Sequence, residues 1–438
     1  MMARCFILTL LLLCFIAVDS ISFMDPKVLV VVDDKHLYQS HSVLFTTLEE
    51  KGYQLTVKTA QDSNLSLTSE DGEHLFSHLF LLCPKTFGIM TRGLERTDVL
   101  DFVEAGGNVI FFANTGYEEP TSKLFESFGC ELDEPQSLVL DHLHYSSDCD
   151  SYFGGKHSAV LATGITPSSV VYVDSENKPI IYQGIGMGIF RNRELIFPIL
   201  WGSSSAYSYF PNTRVTELPI VSGEETVMMA ALQSRNGARV LLSGSTDICS
   251  NSLQTTFLGN KHFCSQIVSW TLGERGMLRT QNWRHHKVGD SITNHSNDMY
   301  RVKDEIEFLV DIEEWNGTEH GWKPFLGNDV QLEFIMLDPY IRKTLVCVDE
   351  TKGSYYTRFR IPDRIGVYKF SIGYYRRGYS PIQASQVVSV RPFRHDEYER
   401  FILQAYPYYA AALSMLLGVF SFGFVFLHGK GMFCIQNP

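Results

Sequence analysis

KVLVVVDD (27–34) is the stretch on which the fold turns. Val28-Leu29-Val30-Val31-Val32 is an unbroken apolar run that closes on two aspartates. Such a run, without polar alternation, predicts a strand covered on both faces. Strands covered on both faces occur in sheets flanked by crossover helices. HSVLFTTLEEKG (41–52) supplies the first helix, with apolar residues at helical spacing and Gly52 as its stop. The pattern repeats outward. YQLTVK (53–58) and HLFLLC (78–83) predict strands, LERTDVLDFVEAGG (94–107) a helix and NVIFFA (108–113) a strand. VMMAALQSRNGARVLLSGSTD (227–247) adds sheet, and QIVSWTLGE (266–274) predicts a closing helix. The expected architecture is α/β: a doubly wound, mostly parallel sheet over residues 25–275.

The period then changes. In EIEFLVDIE (305–313), Ile306, Phe308, Val310 and Ile312 lie on one face and mostly acids on the other. VQLEFIML (330–337), GVYKFSI (366–372) and SQVVSV (385–390) behave alike, with turn residues between them. Period two predicts an antiparallel β-sandwich over 280–395.

The two ends read differently. CFILTLLLLCFIAV (5–18), after Arg4, is too short to span a bilayer and ends in small residues. Residues 1–20 are expected to be a secretory signal peptide; the alternative is an uncleaved anchor. AYPYYAAALSMLLGVFSFGFVFLH (405–428) holds no Asp, Glu, Lys or Arg. As a helix it would reach about 36 Å, enough for a hydrocarbon core of about 30 Å. Tyr406, Tyr408 and Tyr409 suit the aromatic belt at one membrane face. Arg391, Arg394 and Arg400 precede the span and Lys430 follows it, a bias that alone would favour the opposite topology. A cleaved signal overrides that bias. The expectation is therefore a single-pass type I protein with a short cytosolic tail, 429–438. A lipid-anchor signal is disfavoured, because RHDEYERFILQAYPYY is no small-residue site with a polar spacer.

The 438 residues are 45% hydrophobic and 20% charged, ordinary globular values. A net charge of −12 argues against nucleic acid as a partner. Between the signal and the tail lie six cysteines, Cys83, Cys130, Cys149, Cys249, Cys264 and Cys347, with no CxxC. In an oxidising compartment they allow one or two bridges, whose pairing the sequence leaves open. Asn64, Asn294 and Asn316 head Asn-X-Ser/Thr sequons and are candidate glycosylation sites.

No catalytic constellation stands out. Asp33-Asp34 ends the first strand, where open α/β sheets bind ligands, but no glycine-rich turn follows and turn residues are the simpler reading. Gly106-Gly107 leaves a helix for a strand, the reverse of a phosphate cradle, so it reads as a helix cap. Cys83, followed by Pro84, lacks the glycines of a nucleophile elbow. Asp141, His142, His144 and Asp148 lie close together, and His142 and His144 could share a strand face, yet a third metal ligand is missing. His285-His286 on an extended segment point apart. GSSSAYSYFP (202–211) and SGSTD (243–247) could hydrogen-bond a sugar or serve as ordinary loops. No catalytic residue, cofactor or metal is therefore expected. In the tail, Ala410, Ser414, Gly418 and Ser421 form one small-residue stripe, a candidate surface for helix packing in lipid.

Several segments together resemble a known family. They are LTVKTAQDSNLSL (55–67), GSSSAYSYFP, QSRNGARVLLSGSTD (233–247), HHKVGD (285–290), VQLEFIMLDPYIR (330–342) and YERFILQAYPYYAAALSMLLGVFSFGFVFLH (398–428). From about 27 to 428 the chain resembles the DDOST family, the non-catalytic single-span subunit of the endoplasmic reticulum oligosaccharyltransferase. The resemblance implies a role in a complex that moves a preassembled oligosaccharide from dolichyl diphosphate to Asn in sequons. It places catalysis and the divalent metal in a separate multi-spanning subunit. It implies ribophorin I, ribophorin II and the defender against cell death as neighbours, in the endoplasmic reticulum membrane with most of the chain lumenal. The tail departs from family members that end in lysines: Ile435 and Gln436 stand there. Retention is then expected to come from assembly or from the span. The competing reading from the residues alone is a type I cell-surface glycoprotein or receptor.

Overall fold

The computed structural model describes residues 25–429 except 63–64, 70, 92, 153–154, 167, 169, 174–177, 212, 290–298, 318–320 and 399–401. The expected signal peptide, Asn64, Asn294 and nearly all of the expected tail lie outside the described residues.

The first body is built on β1 (Lys27–Val32), β2 (Gln54–Thr59), β3 (His78–Leu82) and β4 (Asn108–Phe112). Its sheet continues through β5 (Cys130–Leu132), β6 (Met187–Ile189), β7 (Ile196–Trp201), β8 (Val227–Gln233) and β9 (Arg239–Ser243). The order is β2-β1-β3-β4-β9-β8-β6-β5, with β7 also on β8. Pairings from β2 to β9 are parallel. Those from β9 onward are antiparallel. The sheet is thus mixed, whereas the sequence led us to expect a mostly parallel one. The reason is local: β8 and β9 are joined by the turn Ser234–Gly237, too short for the crossover that a parallel pair needs.

Alternation within β1 explains its unbroken apolar run. Val28, Val30 and Val32 pack with Phe80, Leu82 and the helix α1 (Ser42–Glu50) in one buried cluster. Leu29 and Val31 point the other way, into a cluster with Leu79, Leu81 and α2 (Arg96–Glu104). The helix α3 (Glu119–Phe128) joins that second cluster, and α4 (Leu258–Thr271) the first. Each such buried aliphatic chain contributes about 1.5–3 kcal/mol, so the sheet centre is the stable heart of this body. Among the described residues between Gly129 and Thr226 lie short strands, a short helix and loops to which the sequence pattern assigned no element. One disulfide, Cys249–Cys264, ties the segment after β9 to α4. It closes a loop whose removal from the unfolded ensemble is worth about 3 kcal/mol.

Among the described residues the second body has two five-stranded sheets. One comprises β10 (Leu278–Lys287), β12 (Glu305–Asn316), β13 (Gly321–Pro324), β16 (Val346–Asp349) and β17 (Ser354–Arg360). The other comprises β11 (Met299–Arg301), β14 (Gln331–Ile335), β15 (Pro339–Thr344), β18 (Gly366–Tyr374) and β19 (Ile382–Arg391). All pairings are antiparallel except β11 with β19. Ile306, Phe308, Val310 and Ile312 are fully buried in one cluster with Phe334, Tyr368, Phe370 and Ile372 of the other sheet. Phe308 and Phe370 meet across the gap at 5.2 Å. The acid face is not wholly solvated: Asp311 is buried, accepting from Asn282, Arg284 and Ser354.

After β19 the chain is tied back to the sheet. Arg391 donates to both carboxylate oxygens of Glu397 (2.7 and 2.6 Å), which holds that carboxyl down at about 2. The last element is α5 (Tyr406–His428), 23 residues long.

Candidate functional site

The carboxyl ends of the parallel strands are occupied by turn chemistry. Asp33 accepts from the Thr86 amide (3.1 Å) and hydroxyl and from the Lys85 amide (3.4 Å), joining the ends of β1 and β3. Asp34 stands at the start of a one-turn helix without capping it. Cys83 is fully buried, and burial pushes its thiol well above the ordinary range, with the Asp33 charge adding to the effect. A thiol so held is not a nucleophile at neutral pH. Gly106 adopts φ +103°, and a Cβ on Gly107 would meet Phe102 at 2.2 Å; both close the end of α2. Asp247 is raised by burial, opposed by His41, whose Nε2 contacts the Thr246 carbonyl at 2.8 Å. Ser243, Ser245 and Thr246 are buried.

The Asp141 cluster is a loop clasp. Burial raises its carboxyl. Hydrogen bonds from Ser203, the Leu143 and His144 amides and Ser205 outweigh this and hold it below the usual range. His142 and His144 do not share a strand face, because the strand ends at Leu140. His142 contacts His157 (2.6 Å) and Tyr207 (2.9 Å), while His144 faces Ser205 and Asp141. Asp148 lies in the first turn of a separate short helix, Ser147–Tyr152. Among the described residues no group of three or more His, Cys, Asp or Glu is placed to hold a metal ion. His285 turns inward to the Tyr300 hydroxyl (2.6 Å) and the Phe370 ring, whereas His286 meets Glu307 (3.1 Å). Asn316 ends β12 opposite Gly321 and is half-buried beside the junction of the two bodies.

That junction was not foreseen from the sequence. Arg239, first residue of β9, is wholly buried. Its guanidinium donates to the carbonyls of Trp270, Arg275 (2.7 Å) and Gly276 (3.0 Å), and across to Gly378 (3.3 Å) on the β18–β19 hairpin. It also lies 4.7 Å over the Trp270 ring. Burial pushes it down to about 9, against the Glu314 charge, so it stays charged at neutral pH. Trp270 Nε1 donates to the same Gly378 carbonyl (2.8 Å). Gln233 accepts from the Gly378 amide (3.0 Å) and donates to the Tyr379 carbonyl. Tyr379 packs against both the first and the second body's clusters. The only sequence signal was an arginine opening a mostly apolar strand, RVLLS.

α5 is the opposite case. Among the described residues it is the one helix long and apolar enough to cross a membrane, and none of it is buried. Pro407 sits in its first turn, where the missing amide hydrogen does no harm. Ala410, Ser414, Gly418 and Ser421 fall within one arc of about 80° on a helix of 3.6 residues per turn. A Cβ on Gly418 would meet nothing, and Ser414 spends its hydroxyl on the Ala411 carbonyl (2.8 Å).

These parts define a class: a large two-part folded body followed by one apolar helix of membrane-spanning length. The particular family follows from comparison. Residues 19–274 match the OST48 N-terminal domain and residues 285–430 the OST48 middle domain. The chain belongs to the OST48 family. It is 36% identical over 423 residues to the "dolichyl-diphosphooligosaccharide–protein glycosyltransferase 48 kDa subunit" of Arabidopsis thaliana, covering 93% of each chain. The proteins of the same description from Danio rerio (92% of each chain) and Drosophila melanogaster (93% of this chain, 92% of that one) are also 36% identical. A solved ThuA-like protein from Parabacteroides merdae covers 56% of this chain and 89% of its own at 13% identity. Its TM-score of 0.28 is too low to carry an argument.

Proposed function

We propose that this chain is a subunit of the oligosaccharyltransferase that transfers an oligosaccharide from dolichyl diphosphate to asparagine in protein N-glycosylation. Its own role is non-catalytic: assembly and support. What carries the reading is the 36% identity over nearly the whole length to proteins named as that transferase's 48 kDa subunit. The engagement of Asp33, Cys83 and Asp141 in packing and turns supports the non-catalytic part. In this reading residues 25–275 form a doubly wound α/β domain and 280–395 a β-sandwich. Both face the endoplasmic reticulum lumen, α5 spans the membrane as a type I anchor, and 429–438 is cytosolic. Asn64, Asn294 and Asn316 are glycan acceptors. The stripe Ala410–Ser414–Gly418–Ser421 meets a helix of a neighbouring subunit. The catalytic multi-spanning subunit, ribophorin I, ribophorin II and the defender against cell death are the neighbours this places around it.

The test is extraction in mild detergent followed by identification of whatever co-purifies. Other transferase subunits are expected in stoichiometric amounts. A chain that comes out alone, bearing mature surface glycans, supports the cell-surface glycoprotein instead.

A further inference from the structure

Beside the Arg239 junction the two bodies enclose an open groove of about 600 Å³. Glu194, Leu195 and Arg235 line one wall; Tyr375, Arg376 and Arg377, from the β18–β19 hairpin, line the other. The whole chain carries −12, yet this groove is lined by three arginines against one glutamate. Arg376 meets Asp329 at 3.1 Å, but both side chains are half exposed, so solvent screens the pair. Arg235 and Arg377 make no ion pair among the described residues; Arg377 only approaches the Phe197 ring, at 5.9 Å. Tyr375 and Leu195 put 61% and 42% of their surface into solvent.

The hairpin cannot swing away to separate these charges. Gly378 and Tyr379 are held by Gln233, Arg239 and Trp270 through the bonds described above. A small-anion cradle gathers backbone amides around a closed site. This groove is open, and its cations are spread along two walls. Exposed arginine and tyrosine set among aliphatic surface is the composition of a protein contact. We infer that the groove receives an acidic segment of another protein subunit. Its carboxylates take the planar guanidinium forks of Arg235 and Arg377, and an apolar side chain lies against Leu195 and Tyr375. The inference rests on the subunit reading, and adds to the membrane helix a second contact made by the folded body.

The experiment places a p-benzoylphenylalanine photo-cross-linker at Tyr375 in the intact, detergent-extracted complex and sequences the captured peptide. The expected capture is an Asp/Glu-rich segment of another subunit. Charge reversal in Arg235→Glu/Arg377→Glu should lower its yield roughly tenfold, and high salt should lower it as well. Arg235→Lys/Arg377→Lys should retain an intermediate yield. Both side chains are exposed, so thermal unfolding of the reversed variant should match the parent. Capture of lipid, glycan or a segment without carboxylates overturns the inference, as does a yield indifferent to charge reversal. If no subunit co-purifies with the unaltered chain, the subunit reading is what fails. If subunits co-purify and Tyr375 captures none, only the groove assignment fails.

Discussion

The junction between the two bodies and the helix α5 both carry conspicuous glycines, for different reasons. At the junction, Gly276 adopts φ +67°, and a Cβ on it would lie 2.4 Å from the Gly378 carbonyl oxygen. Gly378 itself is at φ +93°, its oxygen taken by Arg239 and Trp270. In α5, a Cβ on Gly418 or Gly423 would meet only open space. The first pair is explained inside the chain. The second is unemployed in the folded body and becomes useful only if another helix approaches. Small residues thus report an internal contact in one place and an unfilled external one in the other.

The sharpest way to break this contrast is Arg239→Ala. It strands several buried carbonyls at once and should destabilise the protein by about 3–5 kcal/mol. Denaturant unfolding should show the two bodies melting as separate transitions. A single unshifted transition would mean that the junction holds nothing together.

Acid should distinguish the regions next. Burial lowers the wholly buried His78 to about 4, despite the Asp25 and Glu274 carboxylates. Its Nδ1 faces the Asn108 amide nitrogen (3.2 Å), and Asn108 in turn accepts from the Arg239 backbone amide (2.9 Å). The unfolded chain takes up this proton at higher pH than the folded one. Stability therefore falls as pH drops from about 6.5 toward 4, by on the order of 3 kcal/mol in total. His78→Gln should flatten that profile between the two values, read from melting temperatures at each pH. α5 has no buried histidine, so its helical signal in detergent should persist through the same range.

The smallest effect on folding is the most informative about assembly. Gly276→Ala should destabilise by about 1–3 kcal/mol, through a positive φ and a close carbonyl. Gly418→Leu should leave the melting temperature unchanged yet reduce co-purification of partner subunits. Normal assembly in that variant would make α5 an anchor and nothing more.

The elements that were legible beforehand share a cause. After their first residue β1, β3 and β4 are apolar throughout because both faces are covered, and β12 alternates because one face is. The span was legible because a charge facing lipid finds no partner there, so the run carries none along its length. The mixed character of the sheet was harder to see, since an apolar strand reads the same whether its neighbour runs parallel or antiparallel. The Asp141 clasp joins residues 62 and 64 positions apart, from Asp141 to Ser203 and Ser205, and leaves no local period.

Composition and periodicity fixed what each segment must do with its apolar atoms: bury two faces, bury one, or leave water altogether. Those are local demands of solvation, and the sequence alone determined them. Which arginine is swallowed and where three others line a groove depend on chain segments more than a hundred residues apart. Arg239 meets Gly378 across a separation of 139 residues. Only the tertiary structure decides such meetings, because the partners are chosen by packing rather than by proximity along the chain.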